Sequence, residues 1–310
     1  MGHHVVIGAG GIGRSTAARL VELGHEVTLA SRSGTDPGLP GVTAVVADAG
    51  DAAALVALAR GASSLVNAVN PPYTQWARDW PPVAAALLAA AEATGAGLVT
   101  VSNLYGYGRV DAPMTEDTPL RSTGTKGRIR AQMWEDALAA HQAGRIRATE
   151  LRASDYFGPG AGDAVSVLNR FVIRPAIRGK AVRLIAGVPD APHSWTYLAD
   201  IGALAAVLAT DDRSWGRVWH VPTAAPLTFR EAARDAAAVV GRPEPHVAPL
   251  PGILKLAARV VPVVRELDET RHQFERPFVL DSSRATETFG LEATPWDQAL
   301  AETVSWLGSA

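Results

Sequence analysis

An α/β fold, a doubly wound parallel sheet with a smaller, mostly helical C-terminal lobe, is what this sequence predicts, and three observations predict it. The first is the opening run Val5-Val6-Ile7-Gly8-Ala9-Gly10-Gly11-Ile12-Gly13, an apolar strand followed by a glycine turn. The second is a repeated alternation of short apolar runs with alanine-rich helical stretches as far as Arg152, the pattern of a parallel sheet with helices on both faces. The third is a change of texture beyond Arg152, where Gly158-Pro159-Gly160 and proline-rich turns separate helical segments.

The elements follow in order. Val5 to Ile7 suits a buried strand, and Arg14 to Leu23 continues as an amphipathic helix whose apolar positions Ala17, Ala18 and Val21 lead to a glycine stop at Gly24. A second strand runs from Val27 toward Ser31-Arg32-Ser33. Val42 to Ala47, Ser64 to Val69, Leu98 to Ser102 and Ala148 to Arg152 read as further strands. Helices are expected at Asp51 to Arg60, Pro81 to Thr94 and Lys126 to Ala143. Beyond these come a helical stretch near Val165 to Ile177, a strand-like Val182 to Ile185, and helices at Asp200 to Ala209, Phe229 to Val240, Pro251 to Val261 and Trp296 to Leu307. Residues 1–155, with about 190–222, are expected to form the nucleotide-binding domain, and 156–189 with 223–310 a substrate lobe.

Gly8, Gly10 and Gly13 fall at G-x-G-x-x-G spacing, with Gly11 and Ile12 between, at the strand-to-helix turn. Missing side chains there let backbone approach a pyrophosphate, and the helix start offers unpaired N–H groups to its oxygens. This is a Rossmann-type dinucleotide turn. An NAD site places a carboxylate about 20 residues further on to hold the ribose, whereas an NADP site needs a cation for the 2′-phosphate. Here the second strand ends in Ser31-Arg32-Ser33 with no carboxylate. Arg32 can fork onto a phosphate, so NADP(H) is expected over NAD(H); the alternative is a solvated arginine in a turn.

Composition narrows the function classes. The chain has 310 residues, 47% of them hydrophobic and 19% charged, enough to bury one large core or two unequal ones. A net charge of −2 gives no field for nucleic acid or an anionic membrane, so a small-molecule substrate is the expected partner. The absence of cysteine excludes disulfides, thiol nucleophiles and thiolate metal sites. Strand residues beginning close to Met1 leave no room for a signal peptide, and the alanine-rich stretches are too short to span a bilayer, so a cytoplasmic protein is expected. The 8 histidines show no H-E-x-x-H or comparable spacing, and no metal is expected.

The glycine turn, Asp48, Tyr107-Gly108, Tyr156-Phe157-Gly158-Pro159-Gly160 and the Trp195 to Asp200 run together make the chain resemble the extended short-chain dehydrogenase/reductase superfamily. It is most similar to the NAD-dependent epimerase/dehydratase family. The resemblance implies that Asp48 contacts the adenine, and that the Asn67-Ala68-Val69-Asn70 loop, through Ala68 and Asn70, passes the cofactor ribose. The glycines depart from the family's usual G-x-x-G-x-x-G, which points to an atypical branch. The family's Ser/Thr, Tyr and Lys are also missing: Asn103 stands at the serine, and the helix reads Lys126-Gly127-Arg128-Ile129-Arg130 where Tyr-x-x-x-Lys is expected. That Lys-x-x-x-Arg looks like the isoflavone and phenylpropanoid reductases, atypical NADPH-dependent members in which a lysine serves as acid/base; the NmrA-like proteins are a related non-enzymatic branch.

Four-residue spacing puts Lys126 and Arg130 on one helix face. Like charge and partial burial are expected to lower the lysine pKa from about 10.4 toward the range where it trades protons. The alternatives are that both merely bind ribose or phosphate, or form a solvated face. Asn103 can orient a substrate oxygen or simply form a turn, and Tyr105 can be a displaced proton donor or a packing residue. Tyr73 and Trp76, in a proline-stiffened Asn70 to Trp80 loop at a strand's carboxyl end, are expected to line an apolar pocket with Tyr156 and His193. The leading expectation is an NADPH-dependent reductase of a small carbonyl, imine or activated C=C substrate. The alternatives are a nucleotide-sugar epimerase/dehydratase and a non-catalytic NADP(H)-binding redox sensor. The sequence leaves monomer or homodimer open.

Overall fold

The computed structural model describes residues 1–162, 165–250 and 269–309. Its centre is a parallel sheet built from β1 (His3–Ile7), β2 (Glu26–Ser31), β3 (Val42–Val46), β4 (Ser64–Asn67), β5 (Gly97–Asn103), β6 (Ala148–Ala153) and a further strand, Val218–His220. The last lies at the edge beside β6, and the spatial order from it is β6-β5-β4-β1-β2-β3, all pairs parallel. The strand order reverses between β1 and β4. In an open α/β sheet, ligands bind at such a switch point outside the carboxyl ends of the strands.

Helices α1 (Gly11–Glu22), α2 (Ala52–Ala59), α3 (Trp76–Thr94) and α4 (Thr125–Gln142) connect the strands. Leu55, Leu87 and Ala137, from α2, α3 and α4, pack with Val5, Leu65 and Leu98 on one face. On the other, Ala17 and Leu20 of α1 pack with Ile201, Leu204 and Leu208 against Val6, Val66 and Leu151. Local signals hold as the side-chain chemistry requires: Asp51 caps α2 by accepting from the Ala54 N–H at 3.1 Å, and Gly95 ends α3 at φ +74°.

α3 starts at Trp76, not at Pro81 as the sequence suggested. Pro81 and Pro82 lie inside it, where each removes one backbone bond. The carbonyls deprived of a partner belong to Ala77 and Arg78, both exposed, so water takes the place of the missing N–H. The expected Tyr73 to Trp80 loop is therefore a short 3₁₀ turn, Tyr73–Gln75, running into a helix.

Beyond β6 come β7 (Tyr156–Phe157), a π turn at Asn169–Ile173 running into α5 (Arg174–Ile177), β8 (Val182–Leu184), β9 (Thr196–Tyr197) and α6 (Leu198–Thr210). β10 is the edge strand Val218–His220; α7 (Phe229–Val239), β11 (Val247–Pro249), α8 (His272–Glu275), α9 (Ser283–Phe289) and α10 (Trp296–Ser309) follow. A second apolar cluster gathers Phe157, Leu168, Ile173, Trp195, Phe229, Phe274 and Leu307. The predicted helix at Pro251 to Val261 lies outside the described residues. Among the described residues no helix is long and apolar enough to cross a membrane.

Candidate active site

The glycine turn between β1 and α1 is dictated by close approach. A Cβ added to Gly8, at φ +108°, would lie 2.6 Å from the Ala68 carbonyl oxygen; on Gly13 it would lie 1.8 Å from that of Gly8, and on Gly11 2.5 Å from that of Gly160. Gly10 differs: a Cβ there meets nothing within 4 Å. Three glycines are thus required by the protein's own packing, and the fourth keeps open the space in front of the α1 N-terminus. That terminus has no side-chain cap and no acidic residue in its first turn, so its N–H groups face that space. Buried Asn169 fixes the opposing turn, donating from Nδ2 to the carbonyls of Gly158 at 3.0 Å and Ala161 at 2.8 Å. Sequence reading passed over Asn169, because nothing local marks a residue whose partners lie in a preceding turn.

Around the cradle, Arg32 and Ser33 are exposed after β2, and the Ser31 hydroxyl accepts from the Gly34 N–H at 3.1 Å. Asp48 is exposed after β3 and accepts from the Gly50 N–H at 2.8 Å. Ala68 and Asn70 follow β4, where Asn67 accepts from the Val69 N–H at 3.1 Å and keeps a buried Nδ2 with no hydrogen-bond partner. The open space at Gly10, the uncapped helix start and this orphaned donor fit a dinucleotide lying across the strand ends.

Lys126, in the first turn of α4, is only 3% exposed. Its ammonium lies 3.6 Å from Glu269 Oε2 and 4.6 Å from the centre of the Tyr73 ring. Glu269 Oε1 also accepts from the Lys126 backbone N–H at 2.6 Å, so one carboxylate caps α4 and faces its lysine. Arg130 was expected to act on Lys126 as a like charge. Instead its guanidinium lies over Trp76 and Trp80, 4.8 and 4.1 Å from their ring centres, and burial pushes its pKa down to about 10. The charge placed against Lys126 is a carboxylate from a distant part of the chain, which spacing along one helix does not reveal.

Tyr73 and Tyr105 stand together, hydroxyl to hydroxyl at 3.4 Å, and Tyr73 reaches the Thr270 hydroxyl, also at 3.4 Å. Burial raises both phenols, Tyr73 to about 12 and Tyr105 well above its ordinary value. Asn103 Oδ1 accepts from the Tyr105 N–H at 3.1 Å, so the amide oxygen closes the turn and Nδ2 is what it can offer a ligand. Trp76 and Trp80 do not line an open pocket: Trp80 is 0% exposed and Trp76 is buried, its indole N–H donating to the Pro71 carbonyl at 3.1 Å. They are the floor beneath Tyr73 and Tyr105, and the helical start of α3 is what turns them inward.

Tyr156 is half-buried, and burial and the Asp155 charge raise it to about 12. His193 is sealed rather than pocket-lining, between Asp155 and the Gln273 carbonyl. Lys126, Tyr73 and Tyr105 therefore come together, with Asn103 two residues before Tyr105 in the chain. His193 sits behind that layer, and Asp155 and Glu269 join it unannounced.

Solved structures share this architecture over the whole chain. A dTDP-glucose 4,6-dehydratase from Bacillus anthracis, in complex with NAD, superposes with a TM-score of 0.79 at 18% identity, covering 100% of this chain and 97% of that one. A UDP-glucose 4-epimerase from Thermotoga maritima with UDP-glucose gives 0.78 at 17%, covering 99% of each. A dTDP-glucose 4,6-dehydratase from Streptomyces venezuelae, with NAD bound, gives 0.76 at 19%, covering 99% and 97%. No curated protein sequence matches significantly. The family model of the NAD dependent epimerase/dehydratase family matches residues 4–221, and the chain belongs to that family.

Proposed function

We propose that this protein binds a nicotinamide dinucleotide across the glycine turn and moves hydride to or from a hydroxyl or carbonyl carbon of a small molecule. The observation that carries this reading is the open cradle at Gly10 in front of an uncapped helix, with Lys126 and Tyr105 placed beyond the ends of the neighbouring strands. The α1 N–H groups would hold the diphosphate, Asp48 the adenine side and Ala68 to Asn70 the ribose. The exposed Arg32, flanked by Ser31 and Ser33, supports NADP(H) over NAD(H). Bound there, the cofactor supplies the hydride donor or acceptor. Lys126 is the proton donor to the substrate oxygen, Tyr105 stands beside it, and Asn103 Nδ2 orients the acceptor. The second apolar cluster, from Phe157 to Leu307, is the substrate side of the site.

For the substrate, the whole-length likeness to enzymes of UDP- and dTDP-glucose supports a nucleotide sugar better than a small carbonyl compound. The second reading, an NADPH-dependent reductase of a small apolar carbonyl, imine or activated C=C, is favoured by the paired rings of Tyr73 and Tyr105 and by Lys126 where the family has tyrosine. Calorimetric titration with NADPH and NADH tests the cofactor, and absence of binding by either overturns the function. Thermal shifts with UDP- and dTDP-sugars, set beside NADPH consumption on a carbonyl and enone panel, separate the two substrates.

A further inference from the structure

Gly124 stands at the N-cap of α4, a position where Ser, Thr, Asp or Asn ordinarily offers a side-chain oxygen to the first N–H groups. Its backbone, at φ −77° and ψ 157°, is one that any residue adopts, so conformation does not call for glycine. Space does. The three atoms nearest a Cβ built on Gly124 are Oε1, Cδ and Cγ of Glu269, all at 2.5 Å or less. The missing side chain is thus the seat of a carboxylate that arrives from 143 positions beyond Lys126.

Seated there, Glu269 grips both ends of one residue. Its Oε1 accepts from the backbone N–H of Lys126 at 2.6 Å and from that of Gly127 at 3.4 Å, while Oε2 lies 3.6 Å from the Lys126 ammonium. The lysine side chain is 4% exposed, and an opposite charge offsets the hydration it has lost. A lysine carries its charge on a flexible four-carbon stem, so burial alone does not fix where the ammonium lies. Between the carboxylate and the Tyr73 ring, 4.6 Å away, its place is set.

The strap that carries Glu269 belongs to the second lobe. Thr270 reaches the Tyr73 hydroxyl at 3.4 Å, the Gln273 carbonyl lies 3.1 Å from His193 Nδ1, and the Phe274 carbonyl accepts from the Val188 N–H at 2.9 Å. Phe274 itself packs in the second apolar cluster. We propose that Glu269 is a positioning residue, delivered by this strap through the gap at Gly124, whose carboxylate holds the Lys126 ammonium where it serves the substrate oxygen. This rests on the reading of Lys126 as proton donor, and Glu269 acts through that lysine rather than on the substrate.

The test uses the full-length protein. Glu269→Gln keeps an oxygen to cap α4 and removes the charge facing the ammonium, so its melting temperature is expected to hold. Lys126 in that variant is expected to react with acetic anhydride severalfold faster than in wild type, read by mass spectrometry of the acetylated peptide. A carboxylate that only caps the helix leaves the labelling rate unchanged in Glu269→Gln, and that result overturns the proposal. Gly124→Ala puts a methyl group where the carboxylate lies and is expected to speed labelling as well, but to add nothing in a Glu269→Ala background. An equal effect in both backgrounds overturns the seat at Gly124. With the substrate found by the screens above, Glu269→Gln is expected to lower kcat by about 10–100-fold, as for a misplaced group, with KM and nucleotide affinity within a few-fold. An unchanged kcat overturns the positioning role. Absence of nucleotide binding overturns the proposed function instead, and the labelling rates still decide whether Glu269 holds Lys126.

Discussion

Arg130 lays its guanidinium 4.1 Å from the centre of the Trp80 indole, beneath the floor of the site. One helical turn earlier Lys126 does the same over Tyr73. The two cations of α4 thus rest on an aromatic row along the start of α3, which sets their height relative to the strand ends. The lower cation is buried in the floor and the upper one meets the site.

Truncation should separate the two parts of that contact. Trp80→Ala is expected to cost about 3–5 kcal/mol by opening a cavity in the core. In an Arg130→Met background the same truncation should cost about 0.5–2 kcal/mol less, the share owed to the cation over the ring. Urea unfolding of the four proteins measures this, and additivity would remove the cation–ring term.

Lys126→Met should lower turnover by about 10²–10⁴ while cofactor affinity stays within a few-fold, as for loss of a general acid. A fully active Lys126→Met protein would pass the proton-donor role to Tyr105.

Two glycines a few residues apart should respond in opposite ways. Gly13→Ala places a Cβ 1.8 Å from the Gly8 carbonyl oxygen and should destabilise the fold, by about 1–3 kcal/mol. Gly10→Ala places a Cβ with nothing within 4 Å at a backbone of φ −72°, so the melting temperature should hold while dinucleotide affinity falls at least tenfold, about 1.4 kcal/mol. Melting curves and calorimetry on the two variants check both halves.

Arg32→Ala should narrow the preference for NADPH over NADH by about tenfold, or about 1.4 kcal/mol. Unchanged relative affinities would mean that Arg32 is only a solvated turn residue.

Stability should fall in mild acid. His220 donates from Nδ1 to the Asp281 carbonyl and accepts at Nε2 from the Tyr107 hydroxyl, each at 2.7 Å, an arrangement that requires the neutral ring. Burial, with Arg152 and Arg284 nearby, pushes its pKa from 6.5 down to about 4. The unfolded chain therefore takes up the proton first. The stability from His220 is complete above about pH 6.5 and is lost toward pH 4, by about 3 kcal/mol. Urea midpoints across that range should follow this slope, and His220→Gln should flatten it at the cost of lower stability near neutrality.

The sequence by itself determined the sheet and the glycine turn. Strand periodicity and G-x-G-x-x-G spacing are local, and Gly8, Gly10 and Gly13 could be read because a turn of this kind is written within a few adjacent residues. The Lys126 and Arg130 face was legible for the same reason, since helical spacing is fixed by backbone geometry. What those cations touch was decided only by the tertiary structure. α3 begins early enough to turn Trp76 and Trp80 inward, Glu269 reaches Lys126 from 143 positions away, and His193 meets Asp155 across 38. Such contacts arise when separate elements pack against one another, and a sequence carries no period for a partner supplied by a distant turn.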